Sequence, residues 1–445
     1  MMVNDEIINI DVYDLRVPTY KTLLGSDPFH TKPNYSAVYI KITTKNKLEG
    51  NSIVFTLGAG NDWILYCIKD LSKLLIKMSF SEFENDPGKI YKLFIDHHQI
   101  RWLADGVNRM AAGGLINALW DLWARKLDKP LWKLLVDLEE EKIIQSIDWR
   151  YLKDALTPEE ALEILQSAKT NKNSNEKKLK SNGPKAYSTA GWLGLSDSQI
   201  INTINEMKSN GFDSFKMKVG QNIEHDYKRL SFIRSHIGED ANLMLDANQI
   251  WGVNQAIQYM ENLSKFKPIW IEEPTARDDV NGHVQINKAL KKYKIGVAAG
   301  EQVPSPVIFK QLLKNKAIDF CQIDATRLGG VNDVLAVILM AAKFGIPICP
   351  HGGGIGLCNM IIHYALWDQI SVAGIKSNQY VEYLDFLQSG VFDFPIQVNN
   401  GKYLLPKSNG WGLDINQDFL KKHLYPSGEI WKGNEFYGSI LFTDN

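Results

Sequence analysis

Asp246 ends the run LMLDAN, Glu272 stands in IWIEEP and Glu301 ends GVAAGE, so each of three carboxylates closes an apolar, strand-like run. Oxygen donors of this kind suit Mg²⁺, which prefers octahedral oxygen ligation and keeps positions open for water and substrate. Glu273 directly follows Glu272. Side chains alternate along an extended strand, so Glu273 is expected to face away and is left out of the ligand set. Upstream, Lys216 and Lys218 flank Met217 in SFKMKV. A strand repeats every two residues, which puts both ammonium groups on one face and Met217 on the other. Two cations close together and close to a metal depress each other's pKa, leaving one lysine able to act as a general base near neutral pH. Downstream, Asp324 in FCQIDA and His351 in PICPHGG end two further runs. A carboxylate beside an imidazole fixes its tautomer and orientation, so His351 is expected as an acid–base group opposite the lysines. A base, an acid and a divalent ion around a carboxylate site point to one chemistry. A proton leaves the carbon next to a carboxylate, and the ion stabilises the resulting enediolate.

Such residues need elements that deliver them to one place. From Lys218 to His351 they recur roughly every 23 to 29 residues, close to the ~30 residues of a βαβ unit. Successive parallel strands would each carry one polar side chain to the C-terminal end of a barrel, where barrel enzymes keep their chemistry. Helical patterns lie between the runs. QIINTINEMKSNG follows the capping residues Ser196 and Asp197 and stops at Gly211. DYKRLSFIRSHIG, NQAIQYMENLSKF, PVIFKQLLKNKA and VNDVLAVILMAAKFG each precede a strand. This alternation predicts a parallel sheet with crossover helices. The first part differs, with strand-like IINIDVYDLRV and YSAVYIKITT followed by helical patterns, as in an α+β domain.

The expectation is therefore an α/β protein. An α+β capping domain covers residues 1–142, a modified TIM barrel of (β/α)7β type covers 143–386, and a C-terminal segment, 387–445, packs back on both. SIDWRYL is expected as the first barrel strand. The Lys/Asn/Ser-rich stretch 169–183 is expected as a solvated, mobile loop.

At 445 residues there is room for a barrel of about 250 and one further domain. A net charge of −1 gives no reason to expect nucleic acid or an anionic membrane as partner. Cys67, Cys321, Cys349 and Cys358 form no C-x-x-C pair and read as reduced thiols. No secretory signal and no apolar run near the ~20 residues of a membrane span is seen, so a soluble, cytoplasmic protein is expected. His97, His98, His225, His236 and His423 sit in polar or helical contexts and read as surface groups. His363 lies on an apolar helix and reads as packed inside.

The motifs LLGSD, NYSAVY, DWRYL, STAGWLGLSD, FKMKVG, LMLDANQIW, IWIEEPT, DFCQIDATRLGGVN, AAKFGIPICPHGGGIGLC and YVEYLDFL together resemble the enolase superfamily, mandelate racemase subgroup, and within it the L-fuconate dehydratases. The resemblance covers nearly the whole chain and implies roles. Asp246, Glu272 and Glu301 would bind Mg²⁺, with Glu301 also near the substrate. Lys218 would take the C2 proton of an acid sugar and Lys216 would contact its carboxylate. His351, paired with Asp324, would help expel the 3-hydroxyl. Asn248 and Glu382 would contact substrate near the carboxylate end, while Gly25, Ser26, Asp27 and Tyr35 would close over its distal hydroxyls. A homo-oligomer is implied too. The sequence departs from the pattern at Gln302–Pro306 and at Asn359. Dehydration of another aldonate, racemisation with the same Lys–His pair, a metal-free lyase using Lys218 as a Schiff base and a non-catalytic barrel stay open as alternatives.

Overall fold

The computed structural model describes residues 5–103 and 105–432. Three antiparallel strands open the chain: β1 (Ile7–Val17), β2 (Tyr35–Thr44) and β3 (Glu49–Leu57), with β2 in the middle. Tyr13 lies opposite Tyr39, and Ala37 opposite Phe55. One face of this sheet carries Ile40 and Val54 against the helices Gly60–Leu71 and Val107–Lys126. The second of these is buried along almost its whole length, from Asn108 to Ala124, because it is wedged between the sheet, the barrel and the C-terminal segment. Its few buried polar residues, Asn117 and Asp121 among them, are hydrogen-bonded to those surroundings.

The barrel follows. Seven parallel strands run in the order β10-β4-β5-β6-β7-β8-β9. They are β4 (Ala186–Gly191), β5 (Ser214–Lys218), β6 (Asn242–Asp246), β7 (Trp270–Glu272), β8 (Gly296–Ala299), β9 (Phe320–Cys321) and β10 (Val381–Glu382). Residues 347–351 close the ring. Cys321 N–H donates to the Pro347 carbonyl, Cys349 N–H to Cys321 and His351 N–H to Ile323 at 2.9–3.0 Å, and Glu382 N–H reaches Pro350 at 3.4 Å. The barrel strands are buried on nearly every position, as strands covered on both faces must be. Tyr187, Met244, Trp270, Ala298 and Cys349 form an apolar cluster of their own, with Trp270 set edge-on to Tyr187.

Two local expectations are corrected. SIDWRYL, residues 146–152, holds no strand: Ser146 ends the helix Glu140–Ser146, residues 150–152 are turn, and the first barrel strand is β4. Residues 169–182 are not a loop but the second half of a helix, Pro158–Asn182. Thr157 and Glu160 form a capping box at its start, with Pro158 in the first turn. The helix packs on Leu357–Ser371 and Val331–Lys343. Its polar half is tied down by charge, with Lys180 and Lys133 on Glu176 at 2.6 and 3.1 Å. Apolar periodicity had no means of showing this, because between Leu165 and Leu179 the buried positions are Asn175 and Glu176.

The C-terminal segment, as far as residue 432, touches both units. Trp411 is fully buried and its Nε1 donates to the Asn117 carbonyl at 3.0 Å, while Tyr39 Oη donates to Leu413 at 3.0 Å. Ala186 N–H donates to Gly401 at 2.8 Å. Residues 433–445, part of the expected segment, lie outside the described residues. Among the described residues no helix is long and apolar enough to cross a membrane. Cys321, Cys349 and Cys358 are buried free thiols, and Cys67 is half-buried.

Candidate active site

Strand register brings the charged groups together. Lys218 lies opposite Asp246, and Asp246 opposite Glu272, on three neighbouring strands. Their side chains therefore emerge at one level at the C-terminal end of the barrel. Glu301 follows β8 after Gly300, whose φ of +144° and close approach to the Gln322 carbonyl (2.4 Å from where a Cβ would sit) exclude a larger residue. Donor oxygens of Asp246, Glu272 and Glu301 lie within 4.8 Å of one another, all buried. Among the described residues Glu272 Oε2 has no hydrogen-bond partner. Burial, then the Asp246 charge, pushes the Glu272 carboxyl upward. Crowded, buried and under-satisfied oxygens of this kind are what a divalent cation relieves, so the residues fit a hard metal ion.

Glu273 stays out of this group, though not for the expected reason. The chain leaves the extended conformation at Glu273 (φ +42°), so strand alternation does not set its direction. Its carboxyl is buried and takes a hydrogen bond from Gln249 Nε2 at 3.0 Å. Burial together with the charges of Glu301 and Asp246 holds it well above the usual carboxylate range.

The lysines share one face, as the two-residue repeat requires, and Met217 is buried away from them, near Gly191. Lys218 Nζ contacts Asp246 Oδ2 at 2.6 Å and Asn248 Oδ1 at 2.9 Å. Lys216 Nζ contacts Glu272 at 2.8 Å, Glu382 at 2.9 Å and Asp246 at 3.4 Å. The expected mutual lowering of their pKa values assumes a bound cation beside them; among the protein's own groups the balance runs the other way. Burial and the neighbouring ammonium do oppose the charge on Lys218, but Asp246, Glu301 and Asp27 outweigh them and hold its pKa high. Lys216 is raised in the same way, with Glu272 and Glu382 prevailing over burial. A cation seated on Asp246 and Glu272 would neutralise the charges that now hold the lysine protons.

Across the cavity, His351 Nδ1 lies 2.8 Å from Asp324 Oδ2 and Nε2 lies 3.3 Å from Glu301 Oε2. Burial disfavours the imidazolium, but Glu301 and the Asp324 hydrogen bond prevail and raise its pKa to about 9. Asp324 Oδ1 is saturated by the Thr326 N–H (2.7 Å), the Thr326 hydroxyl (3.0 Å) and the Arg327 N–H (2.9 Å). Glu382 accepts from Thr189 Oγ1 at 3.0 Å and from Gly352 N–H at 2.9 Å.

These groups open on one cavity of about 300 Å³. Lys216, Lys218, Asn248, Glu301, Asp324, His351 and Glu382 form its base. Gly25, Asp27 and Tyr35 of the first unit roof it, with Phe55, Leu57, Ile64, Val107 and Met110 as an apolar wall. Gly25 (φ +90°) is required because a Cβ would sit 2.0 Å from the Tyr35 ring. Ser26 does not line the cavity. Its hydroxyl donates to Leu23 at 2.7 Å and accepts from Gly194 N–H at 2.8 Å, latching the roof loop to the barrel. Sequence reasoning missed His30, Trp192, Gln302 and Arg327 as lining residues. His30 had a signal in its spacing from Asp27, to which its Nδ1 is bonded at 2.9 Å, and Arg327 in its closeness to Asp324.

A seven-stranded parallel sheet closed into a barrel, roofed by an N-terminal antiparallel sheet and carrying carboxylates on successive strand ends, defines a superfamily. Residues 22–136 match the family profile described as mandelate racemase/muconate lactonizing enzyme, N-terminal domain, and residues 199–419 match the one described as enolase C-terminal domain-like. The chain is 42% identical over 436 residues to mitochondrial enolase superfamily member 1 of Homo sapiens, covering 97% of this chain and 98% of that protein. The crystal structure of the human protein superposes with a TM-score of 0.95 over 97% of this chain and 99% of that one. The L-galactonate dehydratase of Hypocrea jecorina is 41% identical over 94% of both chains. An L-talarate/galactarate dehydratase from Salmonella typhimurium, crystallised with Mg and L-lyxarohydroxamate, shares the fold at 23% identity, with a TM-score of 0.72 over 94% of this chain and 92% of that one. This chain belongs to the enolase superfamily, mandelate racemase subgroup.

Proposed function

We propose that the chain is a Mg²⁺-dependent acid-sugar dehydratase, a hydro-lyase, acting on L-fuconate. The observation that carries this reading is the placing of Lys218, His351 and Glu301 around one cavity, with Asp246 and Glu272 clustered with Glu301 and in contact with the two lysines that line it. Asp246, Glu272 and Glu301 would hold the ion. When bound, the ion supplies positive charge against the substrate carboxylate and against the negative charge that builds there as the C2 proton leaves.

Lys216 completes the positive surface for the carboxylate. Lys218, freed of its proton once Asp246 is engaged elsewhere, takes the C2 proton. His351, held by Asp324, gives a proton to the 3-hydroxyl, the C3–O bond breaks and water departs. The enol left behind tautomerises to a 2-keto-3-deoxy acid. Asp27 and Tyr35, in the roof, would meet the distal hydroxyls.

L-fuconate is favoured because the cavity carries an apolar wall, Phe55, Leu57, Ile64, Val107 and Met110, which suits the terminal methyl of a 6-deoxy acid. L-galactonate, with a hydroxyl at that carbon, is the second reading, supported by the name of the Hypocrea relative. A panel of aldonic acids with and without Mg²⁺, scored for 2-keto-3-deoxy acid, tests the proposal. Metal-dependent product from L-fuconate is expected. Faster product from L-galactonate would move the substrate, and inversion at C2 with the 3-hydroxyl retained would replace dehydration with racemisation.

A further inference from the structure

β3 is an edge strand, so every second N–H along it points away from β2 and must find a partner elsewhere. Asn51 N–H goes to Asp121 at 2.7 Å. Phe55 N–H goes out of its own unit altogether, to the hydroxyl of Thr326 at 3.3 Å, in the loop that follows β9. Thr326 is 1% exposed. A backbone N–H is a donor and nothing else, so Thr326 Oγ1 is the acceptor in that bond and its own proton is free. An ionised carboxylate only accepts, so this proton goes to Asp324 Oδ1 at 3.0 Å. The other oxygen of Asp324 holds His351 Nδ1 at 2.8 Å. The polarity of the chain is fixed throughout: β3 amide, threonine hydroxyl, carboxylate, imidazole. Its first member also faces the substrate space. The Phe55 ring lines the cavity and stacks on Tyr35 with centroids 5.3 Å apart.

The same loop is pinned by the first unit at both ends. Asn117, on the helix Val107–Lys126, donates from Nδ2 to the Ala325 carbonyl at 2.9 Å and accepts from Val331 N–H at 3.0 Å. The 325–331 loop therefore takes its conformation from the roof unit as much as from the barrel.

We propose that Thr326 is a positioning residue that couples the seating of the N-terminal unit to the orientation of the His351–Asp324 pair. Resting on the dehydratase reading above, its action falls on the step that His351 assists, proton delivery to the leaving hydroxyl, and not on removal of the C2 proton by Lys218. Without the hydroxyl, Asp324 Oδ1 keeps two backbone donors but loses its link to β3, and the imidazole can rotate off line.

The experiment compares the full-length Thr326→Val and Thr326→Ser variants with the parent protein. Two readouts are taken: exchange of the C2 hydrogen of L-fuconate in D2O against formation of 2-keto-3-deoxy acid, and the downfield proton resonance of His351 Nδ1–H, identified by its loss in His351→Asn. In Thr326→Val, kcat for dehydration is expected to fall about tenfold or more, with KM and C2 exchange near parent values and the resonance shifted. Thr326→Ser is expected to restore both. An unshifted resonance in a folded Thr326→Val protein would overturn the coupling, and so would equal loss in the Val and Ser variants, which marks packing by the methyl group alone. The resonance is read without turnover. A parent protein that dehydrates no acid sugar would sink the dehydratase reading, while the resonance would still decide the role of Thr326.

Discussion

At the residue scale the site is an exercise in crowding. Six ionisable groups, Lys216, Lys218, Asp246, Glu272, Glu301 and Glu382, are all less than a tenth exposed. Buried charge is costly unless paired, and here each charge depends on its neighbours. Lys218→Ala is expected to leave a folded, Mg²⁺-binding protein whose dehydration rate is down by at least ~10²; NMR of the C2 hydrogen in D2O should show no exchange. His351→Asn should lose dehydration to a similar extent but keep C2 exchange. Normal turnover in either variant would remove the assigned role. Glu272→Gln withdraws a charged oxygen donor and should raise the Mg²⁺ concentration for half-activity, with the same shift in a calorimetric titration. An unchanged Mg²⁺ requirement would take Glu272 out of the ligand set.

The elements carry a second, separate electrostatic problem. The helix Leu357–Ser371 is buried along its whole length and holds both His363 and Asp368. His363 Nδ1 accepts from Trp132 N–H at 2.9 Å, and Nε2 has no partner among the described residues. Burial pushes its pKa down to about 3. Asp368 takes a hydrogen bond from Gln379 at 2.9 Å, and burial pushes its pKa up to about 7. The two act in opposite directions. The depressed histidine contributes stability in full above its ordinary value of 6.5 and loses it as pH falls toward 3. The raised aspartate contributes in full below its ordinary 3.8 and loses it as pH rises toward 7. Between pH 4 and 6.5 they offset each other, each with a slope of up to about 1.4 kcal/mol per pH unit. In denaturant unfolding, His363→Gln relative to parent should gain stability as pH is lowered through that window, and Asp368→Asn should lose it. Parallel profiles for parent and both variants would contradict the burial argument.

At the scale of the whole molecule, a buried polar clamp ties the roof unit to the C-terminal segment. Asp121 accepts from Asn51 N–H at 2.7 Å, Trp411 N–H at 2.6 Å and Arg125 Nε at 2.5 Å, and Arg125 reaches on to Asp414 at 2.9 and 3.1 Å. One side chain thus ties β3, the central helix and the C-terminal segment together. Arg125→Ala leaves Asp121 buried without its counter-charge and should cost about 3–5 kcal/mol. Amide exchange should rise first in residues 405–416 and in β3. Uniform exchange across the chain would mean the clamp is not what seats the segment.

The sequence by itself determined the period of the barrel and the identity of its charged strand ends. Parallel strands buried on both faces read as unbroken apolar runs, and a polar residue closing each run is legible without coordinates. Spacing along the chain therefore indicated Lys218, Asp246, Glu272, Glu301, Asp324 and His351. The tertiary structure alone decided what has no local period. The helix Pro158–Asn182 is held by ion pairs to distant segments, and its polar half carries no apolar stripe. The sign of the lysine shifts turned on which carboxylates stand within 3.5 Å, a fact of register and not of spacing. Ser26 became a latch and Thr326 a relay because their partners, Gly194 and Phe55, lie 168 and 271 residues away. Hydrogen bonds of that span leave no trace in a pattern read a few residues at a time.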